Sequence, residues 1–308
     1  MRSLLWLAAA ALLVAGCSQA SGHEAAAESQ PDPRPLGGAV HFTAAESAAL
    51  HHAEERNVQE CMEKRGFDYN LVPVGDVERT AAASRYGLLT QHRAAQDGYG
   101  LTAQRLAKPH ADPNARGLAA LSERERRAWG EALRGASDGP RQEIALPDGP
   151  TVTINLDSCV SVARQELYGP DWDRQYYTLQ GLSNSIAEDT LDHPLVTAAE
   201  QKWVTCMHDE GFRYQGPEDP LKAVRKQLDA ARSDSAAIRA AGEEELRIAQ
   251  RDAACQAEIG LAEQITRAQK QVEKSLPQAR TSMLKDFRKA RRVALKRAAA
   301  QPAASPST

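Results

Sequence analysis

The chain has 308 residues, of which 42% are hydrophobic, 5% aromatic and 26% charged, and its formal net charge is −3. Much of the hydrophobic fraction is alanine, which excludes a core built mainly on large side chains and leaves cross-links to supply part of the missing burial. The total charge singles out no partner; its distribution along the chain says more.

Arg2 precedes the apolar run Leu4–Gly16, which is too short to span a bilayer and suits the hydrophobic region of a secretory signal. The run closes on Val14-Ala15-Gly16-Cys17, which resembles the lipobox of bacterial lipoproteins. That resemblance implies removal of residues 1–16 as a signal peptide and a diacylglycerol on the Cys17 sulfur. Small residues at Ala15 and Gly16 suit a narrow protease cleft, and a thiolate is the nucleophile that lipid transfer needs. Two or three acyl chains hold a protein stably on a membrane, where one does not. Residues 17–42 include Pro31-Asp32-Pro33-Arg34-Pro35, lack the side chains to build a core, and read as a flexible tether.

The first helix signal is Thr43-Ala44-Ala45-Glu46, a capping box. Leu50, Ala53, Val58, Cys61 and Met62 mark its buried face, and Gly66 with Phe67 marks its stop. Residues 61–69, CMEKRGFDY, return at 206–214 as CMHDEGFRY, again preceded by a Thr-x-x-Glu box, Thr197 to Glu200. Each copy predicts a capped helix, a glycine stop and an aromatic pair leaving in extended form. Between the copies, residues 121–134 suit a surface helix. Two short strands predict a hairpin at 143–154 around Pro147-Asp148-Gly149-Pro150. Asp157 or Ser158 caps a helix that Gly169-Pro170 ends, and another follows over 171–191. A helix after Pro220 and a long helical stretch from Ala236, interrupted at Pro277, complete the second half.

Beyond Cys17, the cysteines are Cys61, Cys159, Cys206 and Cys255, which permit three connectivities in an exported chain. Each repeat holds one cysteine and is followed by one more, so the economical pairing is Cys61–Cys159 and Cys206–Cys255. Loops of that size gain about 4–5 kcal/mol each in the chain-entropy model. The expected fold is mainly α: disulfide-linked helices in two related halves, 43–191 and 192–276, with one short β-hairpin. A basic helical tail with a disordered end covers 277–308.

The order of CMEKRGFDY, RYGLL, DGYG, WGEAL, LPDG, DSCVSVARQELYG, WVTCMHDEGFRY and IAQRDAACQAEIGLAE resembles a group of uncharacterised actinobacterial secreted proteins and lipoproteins. The resemblance covers most of residues 43–265. It supports the two-bridge fold and the extracytoplasmic compartment and implies no activity.

No constellation of residues spells out a reaction. Cys206-Met207-His208 and Cys61-Met62 carry soft ligands, but neighbours on a helix point about 100° apart and do not share one ion. His51-His52 begins no His-Glu-x-x-His pattern, and Ser282 with Lys285 lacks the partner motifs of S-x-x-K enzymes. Arg280, Lys285, Arg288, Lys289, Arg291, Arg292, Lys296 and Arg297, with Asp286 the one acid among them, give residues 280–297 a net +7 and leave −11 on the rest of the mature chain. Such a helix offers contact to anionic lipid or wall polymer. The plainer reading, preferred from sequence, packs it on its own domain through Phe287 with a solvated basic face.

The sequence therefore points to a lipid-anchored protein on the extracytoplasmic face of a bacterial membrane, a non-enzymatic envelope binding or interaction protein. Neither cofactor, metal ligand nor catalytic residue is assigned, the protein partner is open, and the compartment disfavours nucleic acid. The alternative is an envelope hydrolase or a thiol- or metal-dependent redox protein, which would show free thiols or a cleft with convergent carboxylates. A solute-binding transporter component is disfavoured by the single hairpin.

Overall fold

The computed structural model describes residues 32–301 apart from Pro109, Asp148 and the side chain of Ala82. The expected leader, Cys17 and most of the expected tether lie outside the described residues, as does the chain from residue 302 onward. Helices come first: α1 (Ala44–Lys64), α2 (Val77–Ala82), α3 (Gln91–Asp97), α4 (Leu101–Leu106), α5 (Ala115–Ala120) and α6 (Glu123–Arg134). Strands β1 (Arg141–Ala145) and β2 (Thr151–Asn155) follow. Then come α7 (Cys159–Tyr168), α8 (Trp172–Leu191), α9 (Pro194–Asp209), α10 (Asp219–Ala231), α11 (Ser235–Glu258), α12 (Leu261–Glu273) and α13 (Gln278–Ala300). The fold is mainly helical, with one antiparallel hairpin in which Arg141 faces Asn155 and Ala145 faces Thr151.

The capping box of α1 forms: Glu46 N–H donates to Thr43 Oγ1 at 3.2 Å, and Thr43 N–H donates to Glu46 Oε2 at 2.9 Å. Both repeats end in the same device. Gly66 and Gly211 take φ of +82° and +90°, where a side chain would be strained. The N–H of Phe67 reaches back to Met62 O at 3.0 Å, and that of Phe212 to Met207 O at 2.9 Å. These bonds satisfy carbonyls that a helix end otherwise leaves bare. Cys61–Cys159 then ties α1 to α7, and Cys206–Cys255 ties α9 to α11, with Cα separations of 5.5 and 5.8 Å. The economical pairing is the one the fold adopts.

Three expectations change. Thr197-Ala198-Ala199-Glu200 does not open its helix. Proline at 194 sets the helical φ without needing an N–H partner, and the ring of His193 accepts the Leu195 N–H, so α9 starts a turn earlier. The long helix expected from Ala236 divides at Gly260, whose φ of +62° turns the chain between α11 and α12. The tether expected over 17–42 has already become folded chain by Pro35. Residues Pro35–Gly38 form a 3₁₀ turn, and Leu36 and Ala39 are buried in the core.

The core also crosses the two sequence halves. Tyr86 and Leu88 pack with Ala187, Val196, Leu261 and Ile265, while Leu89 and Ala94 pack on α11. In the other direction α13 closes the first half. Phe287 is fully buried and stacks on Trp172 with ring centroids 4.5 Å apart. Leu36, Leu50, Leu179 and Ala294 surround that pair. The plainer reading of the tail is therefore the observed packing. Phe287→Ala is expected to lower the unfolding free energy by about 3–5 kcal/mol, whereas Lys289→Ala stays within about 0.5 kcal/mol. Urea unfolding followed by tryptophan fluorescence separates the two.

Candidate functional site

Three places gather chemistry-bearing groups. The first is a cleft of about 200 Å³ between α1 and α8, with Glu54, Arg164, Asp173 and Trp172 among its walls. Glu54 comes from α1, Arg164 from α7 and Asp173 from α8, so no sequence motif announces the set. Arg164 lies between the acids, with Nε 3.7 Å from Glu54 Oε2 and Nη1 3.4 Å from Asp173 Oδ1. The Tyr168 hydroxyl also donates to Glu54. Burial pushes the Asp173 carboxyl up, and Arg164 opposes that shift. Convergent carboxylates are thus present, but the arginine between them pairs with both, which commits their charge to an internal ion network. The aromatic wall is equally committed, since Tyr168 and Phe287 both stack on Trp172, at 4.0 and 4.5 Å.

The second place is buried in the other half. Asp252 accepts from Trp203 Nε1 at 2.8 Å, Tyr99 OH at 2.8 Å and Gln256 Nε2 at 2.9 Å. Two turns away along α11, Glu245 accepts the Leu101 and Thr102 N–H groups, both at 2.8 Å. Gly98 makes that approach possible, because a Cβ there would lie 2.8 Å from Glu245 Cγ. Gln256 takes the Leu89 N–H at 2.9 Å. These groups fasten residues 89–102 onto α11, which is a structural task. Burial raises the Asp252 carboxyl, and the three donors offset only part of the shift.

The thiols expected to be bridged are bridged, and Met62 and Met207 are fully buried beside them. Among the described residues no group of three or more His, Cys, Asp or Glu side chains is spaced to hold a metal ion. Cys61 and Cys159 are both buried, whereas Cys206 is half-exposed at an open groove near Lys202 and Glu258.

The third place is α13, where the eight basic residues divide by role. Arg288 donates to Leu36 O at 2.8 Å. Arg291 donates to Ala39 O at 3.0 Å, pairs with Glu46 at 2.5 Å and lies 4.3 Å over the Phe42 ring. Arg297 donates to Glu166 O and Leu167 O, both at 2.8 Å, and so completes the end of α7. Arg280 is half-buried. Lys285, Lys289, Arg292 and Lys296 are exposed, and none of them pairs with an acid among the described residues. Their spacing of four, three and four places them within an arc of about 60°, opposite Phe287, Ala294 and Ala298. That spacing was readable in the sequence; the division of labour was not.

A scan of family models, a search of curated proteins and a search of solved structures each find no match to this chain.

Two outcomes follow from the geometry. Because folded Asp252 holds its proton to higher pH than the unfolded chain, it withdraws stability as pH rises from the ordinary carboxylate range through its raised value, and returns it on acidification. An asparagine can keep Oδ1 on Trp203 and Gln256 and donate from Nδ2 to the Tyr99 oxygen. Asp252→Asn is therefore expected to equal or exceed the native stability at neutral pH and to lose that slope, while Asp252→Ala loses about 2–5 kcal/mol. Thermal melts across pH measure both. Under mild reductant, Cys206–Cys255 is expected to open before Cys61–Cys159, because access governs thiolate attack; timed alkylation and mass spectrometry give the order.

Proposed function

We propose that the protein is a lipid-anchored component of a bacterial cell envelope, held on the extracytoplasmic face of the membrane through Cys17, and that it acts by binding and not by catalysis. The resemblance to actinobacterial lipoproteins belongs to the same reading. The observation that carries it is the outward face of α13. The Lys285, Lys289, Arg292 and Lys296 stripe is free to meet a partner, while the acids and thiols that a hydrolase or redox enzyme would use are tied into internal pairs. On this reading the α13 stripe is an interaction surface, the cleft at Arg164 is a buttress, and no cofactor takes part. A hydrolase acting through Glu54 and Asp173 is the second reading, favoured by their convergence and opposed by the arginine between them.

Metabolic labelling with an alkyne fatty acid tests the anchor. The native chain is expected to carry label and to sediment with membranes, and Cys17→Ser to be unlabelled and to leave the membrane fraction. A native chain without label would overturn the reading. For the cleft, Glu54→Gln is expected to lower stability, because the amide keeps one acceptor oxygen for Tyr168 and turns an uncharged donor group toward Arg164.

A further inference from the structure

The described chain enters the fold at Arg34, which donates to Ala81 O and Ala83 O at the end of α2 and accepts from Gln269 of α12, and within two residues it passes onto α13. Leu36 O is held by Arg288, Gly38 O and Ala39 O by Arg291, and Leu36 N–H by Glu273 at the end of α12. Whatever path the preceding residues take, a chain running from Cys17 arrives beside the basic helix. Cys17 lies 18 residues before Pro35, a separation of at most about 65 Å even at full extension.

We infer that α13 lies along the anionic surface of the same bilayer that anchors Cys17, with Lys285, Lys289, Arg292 and Lys296 against the lipid phosphates. The inference deepens the proposed function by naming the partner of that surface, and it rests on the anchor assigned there. Three observations on this chain converge.

The first is where the chain joins. A lipid at Cys17 confines α13 to the neighbourhood of headgroups, so docking is an intramolecular step and a weak contact suffices. The second is the form of the surface. The four cations span about 16 Å of one helix face with no acid on the same arc, a row that lies flat on a planar surface. Val293, 37% exposed, borders the row and can meet the interface between headgroup and acyl chain. The third is the charge of the remainder. Residues 280–297 carry +7 and the rest of the mature chain −11, so an anionic surface attracts α13 and on balance repels the remainder. This turns α13 toward the bilayer before any contact forms.

Free in solution, such a row binds an anionic surface only in the millimolar range, to order of magnitude. Docking therefore depends on the anchor, and it weakens as salt rises. A repeating phosphate polymer of the cell wall presents the same anion without the plane, and the test separates the two.

Expressed without its leader, the full mature chain carries Cys17 as the one cysteine outside the two bridges. Coupling that thiol to a maleimide lipid recreates the anchor in vesicles, whether or not a cell lipidates the site. Acetylation rates at Lys285 and Lys289 are then read by mass spectrometry. The vesicles are either pure phosphatidylcholine or contain about one-third phosphatidylglycerol as the anionic probe. On the anionic vesicles acetylation is expected to slow by on the order of tenfold, with recovery in high salt. A variant carrying Lys285→Gln, Lys289→Gln, Arg292→Gln and Lys296→Gln should show no difference between the vesicles when acetylation is followed at Lys270 on α12 and hydrogen exchange on α13. Its melting point should match the parent, since the four side chains hold nothing in the fold. Equal rates on both vesicles would overturn the inference. So would protection by soluble polyglycerol phosphate with none from the anionic bilayer, which would assign the stripe to wall polymer. Failed labelling of Cys17 in cells would strike the anchor alone and leave the vesicle result standing.

Discussion

The stack of Phe287 on Trp172 organises the molecule, because it joins the last helix to a core built from elements more than a hundred residues earlier. Trp172 opens α8, Tyr168 closes α7, and both rings lie in the same pile. Once Phe287 is seated, Arg288 and Arg291 on the next turn reach the carbonyls of Leu36 to Ala39, and Arg297 reaches the end of α7. One buried ring thus sets the position of three charged anchors. The ion network of Glu54, Arg164 and Asp173 borders the same pile and depends on it for its spacing.

The remainder of the interior shows how an alanine-rich chain holds together. Ala53, Ala94, Ala163, Ala249, Ala253, Ala262 and Ala268 are fully buried, which allows helices to approach closely but removes little apolar area from water per residue. Part of the difference is made up by polar fasteners in the low-dielectric interior. Glu245, Asp252, Gln256 and Gln269 are all buried and all hydrogen-bonded to distant segments. Such groups specify one arrangement strongly, since a wrong pairing leaves a buried polar group unmet. The two bridges contribute on the other side of the balance, by restricting the unfolded chain.

What could be read from the sequence was local in origin. Thr43 with Glu46, the glycines after each Cys-Met pair, the hairpin and the Ser158 cap are all written within a few residues of where they act. The features that escaped reading are decided by distant chain. Leu36 sits among prolines and glycines with no periodicity, and it is buried only because α13 and α12 come back to cover it. Tyr86-Gly87-Leu88-Leu89 and Gly98-Tyr99-Gly100 read as loop punctuation around short helices, as α3 and α4 are, but nothing local shows that α11 holds this stretch with Glu245, Asp252 and Gln256. Glu54, Arg164 and Asp173 meet from three helices, so no spacing betrays them. Gly260 was visible but read as part of a longer helix, because the apolar period continues across it. The stripe on α13 was legible as charge and spacing, whereas the release of its neighbours into internal bonds required the fold.

The return of α13 also orders events in time. A chain that emerges N-terminus first presents α1, α7 and α8 first, with Trp172 still uncovered by Phe287. The pile stays open until residues near 298 have emerged, so the first half waits for the last helix. The second half, from α9 to α12, gathers its own core sooner, but it needs residues 86–102 from upstream, which are by then available. Folding of the first half therefore completes only with the last helix, and a chain cut short before Phe287 leaves the Tyr168, Trp172 and Tyr176 rings uncovered on that side.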